Sequence, residues 1–212
     1  MIEWPGALEP GAYPDHLVAR SQRLADAARA ADWAAVRLAL EESPPIGGVT
    51  SWRMSGSSWF TPLHHAARHG APVTVVEELL ARGALTTLED SSGQTAHDVA
   101  KQQGHEHLMA LLVPRVEPSD VLRRQSGHLD DLVQELAVPP VRTPLRAPSA
   151  AVVLEAAEIR FAVPGYSGGI TFRADEVGRL HVSSSSRLLA GGARYHVVTR
   201  KDLVLVDFGW DV

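Results

Sequence analysis

The stretch TPLHHAARHG, Thr61 to Gly70, sets three histidines, His64, His65 and His69, within six residues. His65 and His69 stand at i, i+4 spacing, which on a helix puts both imidazoles on one face. Such a pair could chelate a metal, but a zinc site needs a third and usually a fourth ligand. The pair is therefore expected on a solvated or partner-contacting surface, with no metal. Two imidazoles so close disfavour double protonation, so at least one should titrate below the ordinary value of about 6.5. A second group with chemical potential is Gly165-Tyr166-Ser167-Gly168-Gly169, which fits the G-x-S-x-G nucleophile elbow of α/β-hydrolases. Asp175 or Asp207, with His181 or His196, could complete a triad. An elbow needs a helix directly after its serine, however, and the next residues, ITFRAD, have strand composition. The glycines suit a tight turn or bulge better. The chain has no P-loop, no dinucleotide fingerprint opening a helix and no H-E-x-x-H, so no cofactor is expected.

What must position these residues is a chain of 212 residues, 45% apolar, long enough to bury a core in one medium domain or two small ones. It contains no cysteine, which excludes disulfides and thiol catalysis and fits a reducing cytoplasm. The net charge is −5, and only Lys101 and Lys201 are lysines. That balance gives no general attraction to phosphate backbones, so no nucleic-acid partner is expected. The N-terminus lacks a basic start and an apolar run, so it does not read as a signal peptide. No run approaches the ~18 apolar residues of a membrane span. The expected location is cytoplasmic.

The histidine stretch repeats in outline. TAHDVAKQQG, Thr95 to Gly104, comes 34 residues after TPLHHAARHG, and each precedes an apolar helical pattern. A degenerate upstream copy lies in Leu24 to Glu42, where Ala27-Ala28-Arg29 aligns with Ala66-Ala67-Arg68. Thr61 can cap a helix, and Pro62 suits its first turn, where no amide hydrogen bond is lost. Leu63, Ala66 and Ala67 share one face, and Gly70 tolerates the positive φ that ends a helix. A period near 33 residues of turn, helix and second helix, with Thr61-Pro62-Leu63-His64 and Ala66-Ala67, resembles the ankyrin repeat (ANK repeat). The resemblance implies paired antiparallel helices with projecting loops. It also implies a structural part for His64, hydrogen-bonded between neighbouring repeats, and groove positions for His65, Arg68 and His69. His105 stands in the usual place after the repeat glycine, and His97 takes the place of an expected leucine.

Two features depart from the pattern. An extra residue after Gly70 shifts the second helix of that repeat, and SPPIGGVTSWRMSGSSWF makes the connection before Thr61 long. Trp52, Arg53, Met54, Trp59 and Phe60 in that loop either fold back over the first repeat or form a binding finger, since Trp and Arg dominate interface hot spots. Beyond the repeats, Pro118 to Pro140 has a 3.6-residue apolar period and reads as a helix closing the repeats, with a proline-rich linker after it. From Ser149 a short helix precedes four or five antiparallel strands bounded by glycine or aspartate. The PGYSGG, SSSSRLLAGGARYHVVT and DLVLVDFGW segments resemble the tail of a group of bacterial ankyrin proteins. That likeness implies an architecture and no particular chemistry.

The expected class is α+β: a three-repeat ankyrin α-solenoid, a capping helix and a small antiparallel β module. The expected divisions are an N-terminal extended arm at 1–16, repeats at 17–116 (about 17–60, 61–94 and 95–116), the capping helix and linker at 117–148, and the β module at 149–212. The expected function is interaction, without catalysis, with a protein or peptide partner. Trp52, Arg53, Met54, Trp59, Phe60, His65, Arg68, His69, Asp98 and Lys101 are the contact residues. The alternative is an enzyme or ligand-binding protein for small molecules, with a pocket between the repeats and the β module. There Tyr166, Ser167, His181, Tyr195 or His196 would act, although strand alternation puts Tyr195 and His196 on opposite faces.

Overall fold

The computed structural model describes residues 1–7, 9–54, 56–136, 144–163, 168–186, 192–199 and 203–210. The chain divides into two compact units, Tyr13–Arg115 and Met1–Ala12 with Val116–Val212.

The first unit is helical. Its elements are α1 (Asp15–Arg29), α2 (Trp33–Glu42), α3 (Pro62–His69), α4 (Val73–Ala81), α5 (Ala96–Gln103) and α6 (Glu106–Leu112). Each consecutive pair packs together, while α1 lies against α3 and α3 against α5. Alanines make that approach possible: Ala28, Ala66, Ala67 and Ala100 are fully buried where bulkier residues would hold the backbones apart. Leu63, Val76, Leu79, Leu108 and Leu112 fill the core around them.

Local chemistry sets the helix ends. Thr61 caps α3 by accepting from the His64 amide, and Thr95 caps α5 by accepting from the Asp98 amide. At both starts the third helical side chain reaches back to the threonine backbone, closing a capping box. Gly70 and Gly104 end the two helices at φ 59° and 73°. Gly70 is doubly constrained, because a Cβ there would lie 2.6 Å from the His105 ring. Ala31 occupies the matching place after α1 at φ 56°, a conformation that alanine adopts only under strain. The extra residue after Gly70 is accommodated by Ala71 and Pro72, with α4 beginning at Val73.

The second unit is a six-stranded sheet with helices on one face. It contains β1 (Ile2–Glu3), α7 (Asp120–Leu136), α8 (Ala150–Ala156), β2 (Glu158–Phe161), β3 (Gly168–Ala174), β4 (Leu180–Ser186), β5 (Gly192–Val198) and β6 (Leu203–Trp210), the strands lying side by side in chain order. Strands β2 to β6 pair antiparallel, but β1 runs parallel to β2. The sheet is thus mixed rather than purely antiparallel, because the N-terminal extended arm supplies its edge. Trp4 anchors that edge by donating its indole N–H to the Arg146 carbonyl at 2.6 Å. Gly6 is required beside it, since a Cβ would come within 2.5 Å of the Phe161 ring. α8 packs on β2, β3 and β4, and α7 on α8 and β5. α7 belongs to this unit, with Leu129, Leu132 and Val133 fully buried. Alternation along the strands sends Ile170, Phe172, Val182, His196 and Val198 inward. Thr171, Arg173, His181, Ser183 and Tyr195 fall on the opposite face.

Candidate interaction surface

His64 is wholly buried and structural. Its Nε2–H donates to the Gln94 carbonyl at 3.2 Å, which leaves Nδ1 to accept from the Thr61 hydroxyl at 2.9 Å. The ring therefore ties the start of α3 to the segment leading into α5. Asp90 shapes that segment by accepting from the Ser92 and Gln94 amides at 2.8 and 2.9 Å.

The aromatic loop does not project as a finger at every residue expected to make contact. Trp52 and Met54 are 1% and 2% exposed, so neither can meet a partner without unfolding, and both are corrected from contact residues to core. Their segment folds back on α1: the Ser51 hydroxyl meets that of Ser21 at 3.4 Å, and Arg53 forms an ion pair with Asp26. Trp59 and Phe60 remain half-buried, with Trp59 at φ 55°. Asp98 is exposed, and its carboxylate accepts from the Thr95 amide and hydroxyl at 3.0 and 2.7 Å as the α5 cap. Burial alone would raise its pKa, but these bonds hold it below the usual carboxylate value. Lys101 is exposed on α5. His97 is half-buried, 4.0 Å from Asp98.

The other expected contact residues converge. A cavity of about 380 Å³ lies between the end of α1, the loop 53–60 and α3. Arg29, Arg53, Arg68, His65 and His69 line it with Ser57, Ser58 and Phe60, and none of its lining residues is acidic. Arg68 lies over the Phe60 ring at 5.9 Å, a cation–π distance. His69 is exposed, and its Nε2–H donates to the Arg29 carbonyl at 3.0 Å. His65 is only 9% exposed, edge-on to Phe60 and stacked on His69, and its Nδ1 has no hydrogen-bond partner. Burial first, then the charges of His69, His64, Arg68 and Arg29, lowers its pKa to about 4. Of the adjacent pair, His65 is thus the imidazole held neutral. Among the described residues no three His, Asp or Glu side chains are grouped as a metal centre requires.

The sheet carries a second polar constellation on its open face. The Asp175 carboxylate accepts from His181 Nε2–H at 3.1 Å and from the Arg179 amide at 2.8 Å. Burial acts against its ionised form, but these bonds hold its pKa well below the usual range. With Nε2 protonated, His181 Nδ1 is left to accept from the Tyr195 hydroxyl in a short hydrogen bond. The three groups border a depression of about 250 Å³ with Thr171, Arg173 and Ser183. His196 faces the other way, 6% exposed, and burial lowers its pKa. It cannot share a cavity with Tyr195. Tyr166 and Ser167 lie outside the described residues, and the element immediately after them is the strand β3, not the helix of a nucleophile elbow.

Residues 58–91, which hold α3 and α4, match the family model of the ankyrin repeat. That match supports an ankyrin-repeat protein. Ankyrin repeats point in general to protein–protein interaction, and the mixed helix and sheet content fits an α+β chain. No curated protein matches the chain. Among the described residues no helix is long and apolar enough to cross a membrane. The repeat reading missed Arg29, which lines the cavity. Its signal was present in the alignment of Ala27-Ala28-Arg29 with Ala66-Ala67-Arg68.

Proposed function

We propose that the chain is a cytoplasmic interaction protein whose helical unit binds a protein or peptide segment along a concave groove. In this reading α1–α2 and α5–α6 are divergent copies of the matched repeat, and the three pairs form a short solenoid. The contacts are Arg53, Trp59, Phe60, His65, Arg68, His69, Asp98 and Lys101. The observation that carries the reading is the cavity between α1, the loop and α3, where exposed Arg68 and His69 stand beside half-buried Phe60 within the matched repeat. Aromatic and arginine side chains clustered around one cavity are the composition of an interface centre. The test is selection of a displayed random-peptide library on the full chain. Enriched peptides should lose binding to Arg68→Ala and to Phe60→Leu, a milder change because Phe60 also packs on the core, with melting temperatures used to check that each variant stays folded. Selection that enriches the same peptides on those variants would refute the groove.

A second reading rests on Asp175, His181 and Tyr195. The aspartate fixes the imidazole tautomer, and the imidazole can take the tyrosine proton, so the depression beside them suits a small molecule with a group to be polarised or deprotonated. In this form the small-molecule site belongs to the open face of the sheet.

A further inference from the structure

The cavity between α1 and α3 has a charge balance that the chain as a whole does not. The protein carries a net −5, yet this cavity gathers three guanidinium groups, two imidazoles and two serine hydroxyls with no acidic lining residue. Arg53 is partly neutralised by its ion pair with Asp26 at the rim, whose side chain is 64% exposed. Arg29 and Arg68 form no ion pair among the described residues. His65 also borders the cavity, its ring edge-on to Phe60 and stacked on His69.

We propose that this cavity is an oxyanion site that receives a phosphoryl group on a side chain of the partner segment. Two uncompensated guanidinium groups on facing helices match a charge of about −1.5 to −2, which a phosphate monoester supplies and a single carboxylate does not. Guanidinium forks bond phosphate oxygens in pairs, and the Ser57 and Ser58 hydroxyls add neutral donors at the loop side. The pocket is open to solvent, so the phosphorylated residue enters from the groove. In that respect the proposal rests on the groove reading above.

The experiment has two arms, both on the full chain at constant ionic strength. In the first, inorganic phosphate is titrated while arginine Nε–H and histidine ring signals are monitored by NMR. Saturable shifts should appear at Arg29, Arg68 and His65, and Arg29→Gln or Arg68→Gln should weaken binding by on the order of 10-fold. Arg23→Gln, on the exposed side of α1 outside the cavity, should change nothing. Asp26→Asn should tighten binding several-fold, since it removes the rim carboxylate and frees Arg53. A structural role for these residues predicts no such gain. Unsaturable shifts, or shifts undiminished in both arginine variants, overturn the site. In the second arm, a degenerate phosphoserine peptide library is compared with its unphosphorylated counterpart. Enrichment that needs the phosphate, Arg29 and Arg68 supports the proposal. Peptide binding indifferent to all three overturns it and leaves the groove reading standing. Phosphate binding with no peptide enriched from either library overturns the partner-borne source and the groove reading together, and assigns the site to a free phosphorylated molecule.

Discussion

His65 lies 9% exposed between the edge of Phe60 and the face of His69, with no carboxylate among the groups that set its titration. Burial, then His69, His64 and Arg68 on its own helix and Arg29 on α1, brings its pKa to about 4. In the unfolded chain the same imidazole titrates near 6.5. Between those values the unfolded state binds a proton that the folded state refuses, so stability falls as pH falls through the window. Above pH 6.5 the effect is absent. Below pH 4 it is complete, and the gap from 6.5 to 4, at about 1.36 kcal/mol per pH unit, is worth about 3 kcal/mol. At pH 5 the loss is already about 2 kcal/mol. Other groups also titrate in this range, so the comparison is with His65→Gln, which carries an amide and no titration. Urea unfolding monitored by helical circular dichroism, from pH 8 down to pH 5, should show the wild type losing about 2 kcal/mol more than the variant. An NMR titration of the His65 ring checks the cause directly. Parallel stability curves, with a ring that titrates near 6.5, would refute the burial argument and remove the cavity's neutral imidazole.

Three other residues give outcomes as specific. Trp52→Ala should destabilise the protein by about 3–5 kcal/mol, because a fully buried indole leaves a cavity, and denaturant titration will read this as a lowered midpoint. A variant that stays stable while losing a partner would restore Trp52 to the surface. Ala31→Gly should raise stability by about 0.5–1 kcal/mol, since glycine adopts the φ of 56° without strain, and an unchanged or lower melting temperature counts against it. At pH 8, nitrogen-15 spectra should find His181 protonated at Nε2 and bare at Nδ1, and Tyr195→Phe should perturb the Nδ1 signal most. The opposite tautomer would break the Asp175–His181–Tyr195 relay.

The sequence was most legible where short-range chemistry decides the conformation. Thr61, Pro62 and Gly70 mark the ends of α3 because capping and positive φ depend on a residue and its near neighbours. The same logic reads Thr95 and Asp98 as a capping box. Trp52 shows the other boundary. Aromatics among glycines and serines suit a binding loop or a core flap equally, and the choice is made by Ser21 and Asp26, some thirty residues earlier on α1, through long-range contacts that no local pattern encodes. β1 was invisible for a related reason: a strand as short as Ile2–Glu3 has no alternation to read and exists through its pairing with β2.

The cavity lies between these extremes and shows what repetition adds. In stacked helix pairs, residues at equivalent repeat positions come side by side on adjacent helices. Arg29 and Arg68 each stand directly after an Ala-Ala pair, so under the proposed repeat reading one residue choice made twice yields two guanidinium groups flanking a single space. The corresponding position on α5 is Gln102, which is neutral. The arginine pair is therefore confined to α1 and α3, since α5 offers the exposed Lys101 but no guanidinium at that position. Gln102→Arg should create a second, weaker site beside Arg68, detectable as a second saturable phase in the phosphate titration. A single unchanged phase in that variant would mean that equivalent repeat positions do not set the site, and that the loop carrying Arg53, Ser57 and Ser58 does.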